Sequence, residues 1–316
     1  MNALRSSHTA LPQMALLAAS ILWGASFLAT KLGMEHVGPL GFVGLRYLMA
    51  TIAFVVVVPR AVRGITPTEL MAGTLVAVTA FIAYASQAYA LQTTDTARVA
   101  FLSALYVPLV PVLQFLLFRE KTTSRIWVGV ALACVGVGIM SRLSFDGFRL
   151  QEGDALSTFG AVAIALEVVI LGWFVRRADP LRIAFVMMST TTALALLFAA
   201  ATGEPMPEAS PTLLWIVIGY GAATAFIQFA MSWAQVYVEA SRAAIIYSLE
   251  PVFGGLFGYA AGEIFGLSDV MGAIVIFAGV IIASLPGSYR SVPQAFRAVA
   301  ASEQQRVRIP EDDRQC

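Results

Sequence analysis

Ten stretches of this 316-residue chain each run for about twenty positions with no more than two charged side chains, the length an α-helix needs to cross about 30 Å of hydrocarbon. They fall at 13–32, 39–58, 70–91, 97–118, 124–141, 154–175, 182–201, 212–235, 242–262 and 268–286. Only 12% of the residues are charged, against roughly a quarter in a soluble domain, so water cannot be the solvent for most of the surface. In lipid each backbone N–H and C=O must find a partner within the chain, and helices meet that demand segment by segment. The expectation is an all-α integral membrane protein with ten transmembrane helices. The first apolar run follows Arg5, continues to Lys31 and carries Trp23, Ser26 and Thr30 on one helical face. It reads as a retained span and not as a secretion signal.

Basic residues set the orientation, because Lys and Arg stay preferentially on the cytoplasmic side. With both ends inside, Arg5, Arg60, Arg63, Arg119, Lys121, Arg125, Arg176, Arg177, Arg182 and Arg242 are cytoplasmic, and only Lys31, Arg98, Arg142 and Arg149 lie outside. Both termini are therefore expected in the cytoplasm of a bacterial-type inner membrane. Residues 1–12 form a short N-terminal segment. Residues 287–316 mix Arg297, Arg306 and Arg308 with Glu303, Glu311 and Asp312, a composition expected to stay disordered.

Laid on itself at an offset of 143, the chain matches Gln92, Ala97, Pro108, Glu120, Gly129, Gly136 and Ser141 to Gln235, Ala240, Pro251, Glu263, Gly272, Gly279 and Ser284. Constant spacing of this kind marks an internal duplication. The two repeats, 13–142 and 153–286, hold five spans each, and an odd number forces the second copy into the membrane upside down. Two inverted five-helix repeats are the architecture of many secondary transporters, in which related halves close alternately on either side of a central site. A duplication that survives only as scaffold is the competing reading.

The chain resembles the EamA branch of the drug/metabolite transporter superfamily. The resemblance rests on Trp23-Gly24-Ala25-Ser26-Phe27, on Leu45-Arg46-Tyr47, on Tyr106-Val107-Pro108 through Arg119-Glu120, and on Ser248-Leu249-Glu250-Pro251-Val252 through Gly262-Glu263. It implies ten helices in two repeats, a cavity between them, and export of amino acids, metabolites or drug-like compounds by alternating access. The chain departs from the family pattern in the sixth span, where Glu167 stands near the middle in place of an aromatic residue.

Charges within the bilayer cost about 2.5 to 3.5 kcal/mol each even on lenient insertion scales, so each needs a partner or a task. Arg46 lies about 11 Å into span two, Glu250 about 12 Å into span nine and Glu167 about 20 Å into span six, at about 1.5 Å per residue. Glu250 precedes Pro251, which removes a helical donor, and shares a row with Gly254 and Gly258 that permits close helix approach. It either lines a cavity, accepting a proton or an ammonium, or is satisfied by backbone groups that Pro251 frees; the second is the commoner fate of a buried acid. Glu167 has the same two readings. Arg46 stays charged, so it pairs with a carbonyl or carboxylate or recognises a substrate carboxylate.

Further rows could line a path: Trp23 and Ser26; Tyr84 and Gln87; Ser103, Tyr106 and Gln114; Gln228, Ser232 and Gln235; and Tyr247 beside Glu250. Interhelical hydrogen bonding explains each row equally well taken singly. Pro108 marks the first repeat's equivalent of Pro251. Asp95 with Arg98, and Glu239 with Arg242, suit helix caps better than gates.

Other chemistries find little support. There is no His-Glu-x-x-His pair, no Gly-x-Ser-x-Gly elbow, no phosphate-binding loop, and only His8 and His36 as histidines, which argues against a membrane-embedded enzyme, a metal site or a cofactor. No basic stripe offers itself to nucleic acid. A receptor or scaffold would call for larger loops. The expected partners are the lipid bilayer, a small-molecule substrate and protons, and oligomeric state is not encoded in any of these features.

Overall fold

Helix starts are written into the sequence by proline. Pro39, Pro67, Pro180 and Pro211 each open a helix, where their missing N–H costs nothing. In a computed structural model the chain is described at residues 2–94, 96–140, 152–205, 207, 210–260 and 266–285, and every regular element among these is helical. The helices are α1 (Asn2–Gly33), α2 (Pro39–Val57), α3 (Pro67–Thr93), α4 (Thr96–Ser103), α5 (Tyr106–Phe118), α6 (Ser124–Met140), α7 (Glu152–Phe174), α8 (Pro180–Ala201), α9 (Pro211–Ala234), α10 (Ala240–Tyr247), α11 (Glu250–Ala260) and α12 (Leu267–Ser284). A short 3₁₀ turn, Pro59–Val62, links α2 to α3. The first helix starts at Asn2, well before the apolar run, and carries Pro12 inside it.

Six of these helices, α1, α2, α3, α7, α8 and α9, are long and apolar enough to cross a membrane by themselves. The other four crossings are α6, α12 and two interrupted spans. Sequence periodicity reads 97–118 and 242–262 as single helices; the structure divides the first between α4 and α5 and the second between α10 and α11. The cause is local. Pro108 and Pro251 have no N–H for the carbonyls four residues earlier, and the chain tightens to three-residue bonds, Leu105 N–H to Leu102 O at 3.2 Å and Leu249 N–H to Ile246 O at 3.2 Å. Thus both repeats break the same span in the same way.

The two repeats are inverted, as the crossing of α6 and α12 makes plain. A methyl group on Gly129 would lie 3.0 Å from Gly279 O, and one on Gly136 would lie 2.7 Å from Gly272 O. Gly129 and Gly272 are repeat equivalents, as are Gly136 and Gly279, so each glycine meets the partner of the other. Only an antiparallel, two-fold-related crossing does this. The remaining packing follows the same symmetry: α3 lies along α7 as α9 lies along α1, α3 meets α8 as α2 meets α9, and α2 pairs with its counterpart α8. Large apolar side chains such as Leu75, Trp215 and Ile274 stand exposed around the outside, where lipid is their solvent.

Candidate functional site

The centre of the bundle holds the polar side chains that hydropathy alone cannot explain. From α2, Arg46 reaches inward and is 4% exposed. Its guanidinium carbon lies 4.7 Å from the ring centre of Tyr47, 4.6 Å from Tyr84 of α3 and 4.8 Å from Tyr220 of α9, so three aromatic faces surround the cation. Arg46 Nη1 donates to the Tyr220 hydroxyl at 2.6 Å, while Nε is buried without an acceptor. No carboxylate comes within ion-pair distance of it among the described residues.

Glu167 of α7 is fully buried, and both carboxylate oxygens lack a hydrogen-bond partner. It sits within electrostatic reach of Arg46, Tyr47, Tyr84 and Tyr247. The Gln228 amide of α9 faces it but gives its one good hydrogen bond to Tyr47 Oη, at 3.2 Å. Trp23 of α1 closes the cluster, 5.4 Å from the Tyr247 ring edge-on and 6.4 Å from Tyr84, and Tyr84 is 5.7 Å from Tyr47. Of the residues singled out in the sequence, Trp23, Arg46, Tyr84, Glu167, Gln228 and Tyr247 are thereby brought together at the crossing of the two repeats.

A second acid lies beside the break in the ninth span. Glu250, at the first turn of α11, has no hydrogen-bond partner among the described residues and is within electrostatic reach of Tyr106 at the start of α5; the Tyr106 hydroxyl is itself buried and unpaired. Gly254, one turn further on, lies against Gly24 of α1: a methyl on Gly24 would come 2.7 Å from Gly254 N and 2.9 Å from Glu250 O. The surroundings of Gly258 lie outside the described residues, as do Gly262, Glu263 and the Asp95–Arg98 pair. Other candidates are placed differently. Gln87 donates to Ser103 Oγ at 3.2 Å and so ties α3 to α4. Ser26 is buried about one turn from Trp23, and Ser232 is buried about one turn from Gln228 with its hydroxyl unpaired.

Sequence reasoning missed Tyr220 as part of the site. Its spacing sets it apart from no other residue of the eighth span, and only the approach of α9 to α2 gives it a task. Tyr47 is adjacent to Arg46 in sequence, about 100° round the helix, so the reach of the guanidinium back over its ring was not legible either. Glu239 occupies the N-cap position of α10 but makes no capping bond, contrary to the expectation; it accepts instead from Gln114 Nε2 at 3.2 Å. Gln114 also donates to Glu120 at 2.8 Å, and Glu120 is paired with Arg176 at 2.9 Å. Burial pushes the Glu239 carboxyl above the usual carboxylate range, with Arg242 opposing.

All of the central side chains are packed on one another and closed off from both faces. A hollow of about 300 Å³ lined by Gln13, Leu17, Ile246, Leu249 and Phe277 opens to the surface between α1, α10 and α12. Among the described residues no group of three or more His, Cys, Asp or Glu could hold a metal ion.

Inverted repeats, paired broken spans and a buried polar centre define a polytopic membrane carrier. The chain belongs to the EamA-like transporter family, whose model matches residues 11–142 and again 151–285. It is 28% identical over 267 residues to an uncharacterized transporter of Archaeoglobus fulgidus, covering 84% of this chain and 83% of that one. It is 22% identical to the uncharacterized transporter YoaV of Bacillus subtilis across 88% of this chain and 98% of that protein. A solved crystal structure shares the fold with a TM-score of 0.72 at 16% identity, covering 87% of this chain and 96% of the other. The protein is a multi-pass membrane transporter.

Proposed function

We propose that the chain moves small zwitterionic metabolites, amino acids foremost, outward across a bacterial-type inner membrane by alternating access, with both termini cytoplasmic. One observation carries the reading. The core buries a guanidinium with an unmatched Nε and a carboxylate with two unmatched oxygens, in the same neighbourhood and unjoined. Each buried group left short of partners costs about 1–3 kcal/mol, more when charged. A substrate with a carboxylate for Arg46 and an ammonium for Glu167 completes both at once, and the faces of Trp23, Tyr84 and Tyr247 favour an ammonium or an aromatic side chain.

Glu167 and Glu250 also suit a proton-linked cycle, in which one acid takes a proton when the substrate leaves; intramembrane acids commonly serve in this way. Ser26, Ser232 and Tyr106 supply further polar wall. Repeats bounded at 13–142 and 153–286 would rock about the site, with Pro108 and Pro251 easing the motion of the broken spans. The asymmetry of basic loops supports the orientation.

The test is flux from proteoliposomes loaded with single labelled solutes. Saturable efflux of zwitterionic amino acids is expected, at least about tenfold slower (about 1.4 kcal/mol) in Arg46→Met and Glu167→Gln. The reading fails if simple amines or simple carboxylates move as well as zwitterions, or if both variants match the parent across pH 6 to 8.

A further inference from the structure

Two carboxylates that have no counterpart in the aligned repeats perform the same task on opposite membrane faces. Glu204, in the connection between α8 and α9, reaches across to the start of α2. Its Oε2 accepts the Gly41 N–H at 2.9 Å, and its Oε1 accepts the Leu40 N–H at 3.1 Å and the Tyr89 hydroxyl at 3.1 Å. Glu69, at the first turn of α3 just after the equivalent connection of the first repeat, reaches across to the start of α8. Its Oε1 accepts the Asp179 N–H at 3.2 Å, and Arg182 approaches both of its oxygens at 3.5 Å. Its Oε2 also accepts the Thr66 N–H at 2.7 Å within its own capping box.

The start of α2 is reached after one crossing and the start of α8 after six, so the two carboxylates sit on opposite faces. Each joins one repeat to a helix start of the other: Glu204 takes the free first-turn N–H groups of α2, where the helix dipole also attracts an anion, while at α8 Asp179 caps the first turn itself and Glu69 takes the Asp179 N–H and faces Arg182. Glycine makes room for the first: a methyl on Gly38 would collide with the Glu204 carboxylate. At offset 143 Glu204 falls on Ala61 and Glu69 on Thr212, so neither acid has an acidic counterpart in the other copy.

We propose that Glu204 and Glu69 are paired latches that hold the two repeats together, one at the outer and one at the inner face, and that the transport cycle releases them one at a time. With both engaged, the central side chains are closed off from both faces, which is the arrangement described above. Two near-equivalent latches keep the inward-open and outward-open states close in free energy, the condition under which a small ligand can shift the balance. The inference rests on the alternating-access reading for its meaning, but its test needs no substrate.

The experiment places pairs of spin labels on the full-length protein in lipid nanodiscs, with Cys134 and Cys316 replaced by serine. One pair, at Glu35 and Thr202, reports the outer face; the other, at Thr68 and Arg177, reports the inner face. The parent is expected to show one short distance at each face. Glu204→Gln should lengthen the outer pair alone, and Glu69→Gln the inner pair alone, each raising the open population at least about tenfold. Gly38→Ala, whose backbone at φ −62° and ψ 163° accepts alanine, should reproduce the outer effect with Glu204 intact, which keeps the test alive if Glu204→Gln folds poorly. Unchanged distances at both faces in the charge variants, or lengthening at the wrong face, would overturn the proposal. Intact latch behaviour with no amino-acid flux would sink the substrate reading and leave the latches standing.

Discussion

Replacing Glu167 by leucine should make this protein more stable and inactive at once. The side chain is fully buried with two unpartnered oxygens, each costing about 1–3 kcal/mol. Leucine is shorter by one heavy atom, a loss of packing worth about 1 kcal/mol. The balance is a gain of about 1–5 kcal/mol, which in a chain of this size raises the melting temperature by about 1.5 °C or more. Glu167→Gln keeps two polar atoms in the same place and should gain less. The assay is thermal unfolding of purified protein in a single detergent, run beside efflux from proteoliposomes. Both variants should lose transport while only the leucine variant gains clearly in stability, the pattern of a site held in strain for its function. A melting temperature that falls in Glu167→Leu would refute the reasoning, because it would mean that the carboxylate is already satisfied and the centre holds no unfilled demand for a ligand.

Tyr220→Phe removes the 2.6 Å bond from Arg46 and should cost about 1.5–3 kcal/mol, the range for a hydrogen bond to a charged group; a melting curve identical to the parent's would show that the tyrosine cage does not hold the cation. Gly24→Ala forces a methyl against the α11 backbone and should destabilise by about 1–3 kcal/mol, whereas Gly138→Ala, which meets nothing within 4 Å, should stabilise by about 0.5–1 kcal/mol through helix propensity alone. Thermal melts of the two variants side by side decide this. Glu239 titrates above the usual carboxylate range because it is buried, so the folded state favours its neutral form: that stabilisation is complete below the ordinary carboxylate pKa and is lost as pH rises through the raised value. Glu239→Gln, always neutral, should be more stable than the parent at neutral pH and should flatten the profile measured from about pH 4 to about pH 8. A profile with unchanged slope would count against burial as the cause.

Much of the architecture is legible in the sequence because the relevant signals are local. Apolar length gives the crossings, Pro39, Pro67, Pro180 and Pro211 give helix starts, and the repeated Pro108 and Pro251 mark where both interrupted spans break. Hydropathy alone hides the interruptions, because the apolar pattern runs on through Ala104 and Leu249 without a change of composition, and only the two prolines show them. The site was half legible. Arg46, Glu167 and Glu250 stand out as charges in lipid, and Trp23, Tyr84, Gln228 and Tyr247 as polar rows, but Gln87 and Ser103 turned out to bond each other, and Tyr220 gave no sign of its place beside Arg46.

The amino-acid sequence alone settled that the chain lives in lipid, crosses it with helices, and consists of two copies that an odd span count turns upside down. The tertiary structure decided which faces meet: that Gly129 crosses Gly279, that three tyrosines from α2, α3 and α9 enclose one arginine, and that Glu204 and Glu69 each reach into the other repeat. The division has a physical cause. Insertion into lipid depends on the summed hydropathy of each segment, which can be read one helix at a time, whereas helices already in lipid gain nothing further from hydrophobicity when they associate and choose partners by close fit of small residues and by individual polar contacts. Those choices depend on rotation and crossing angle, which no single segment contains.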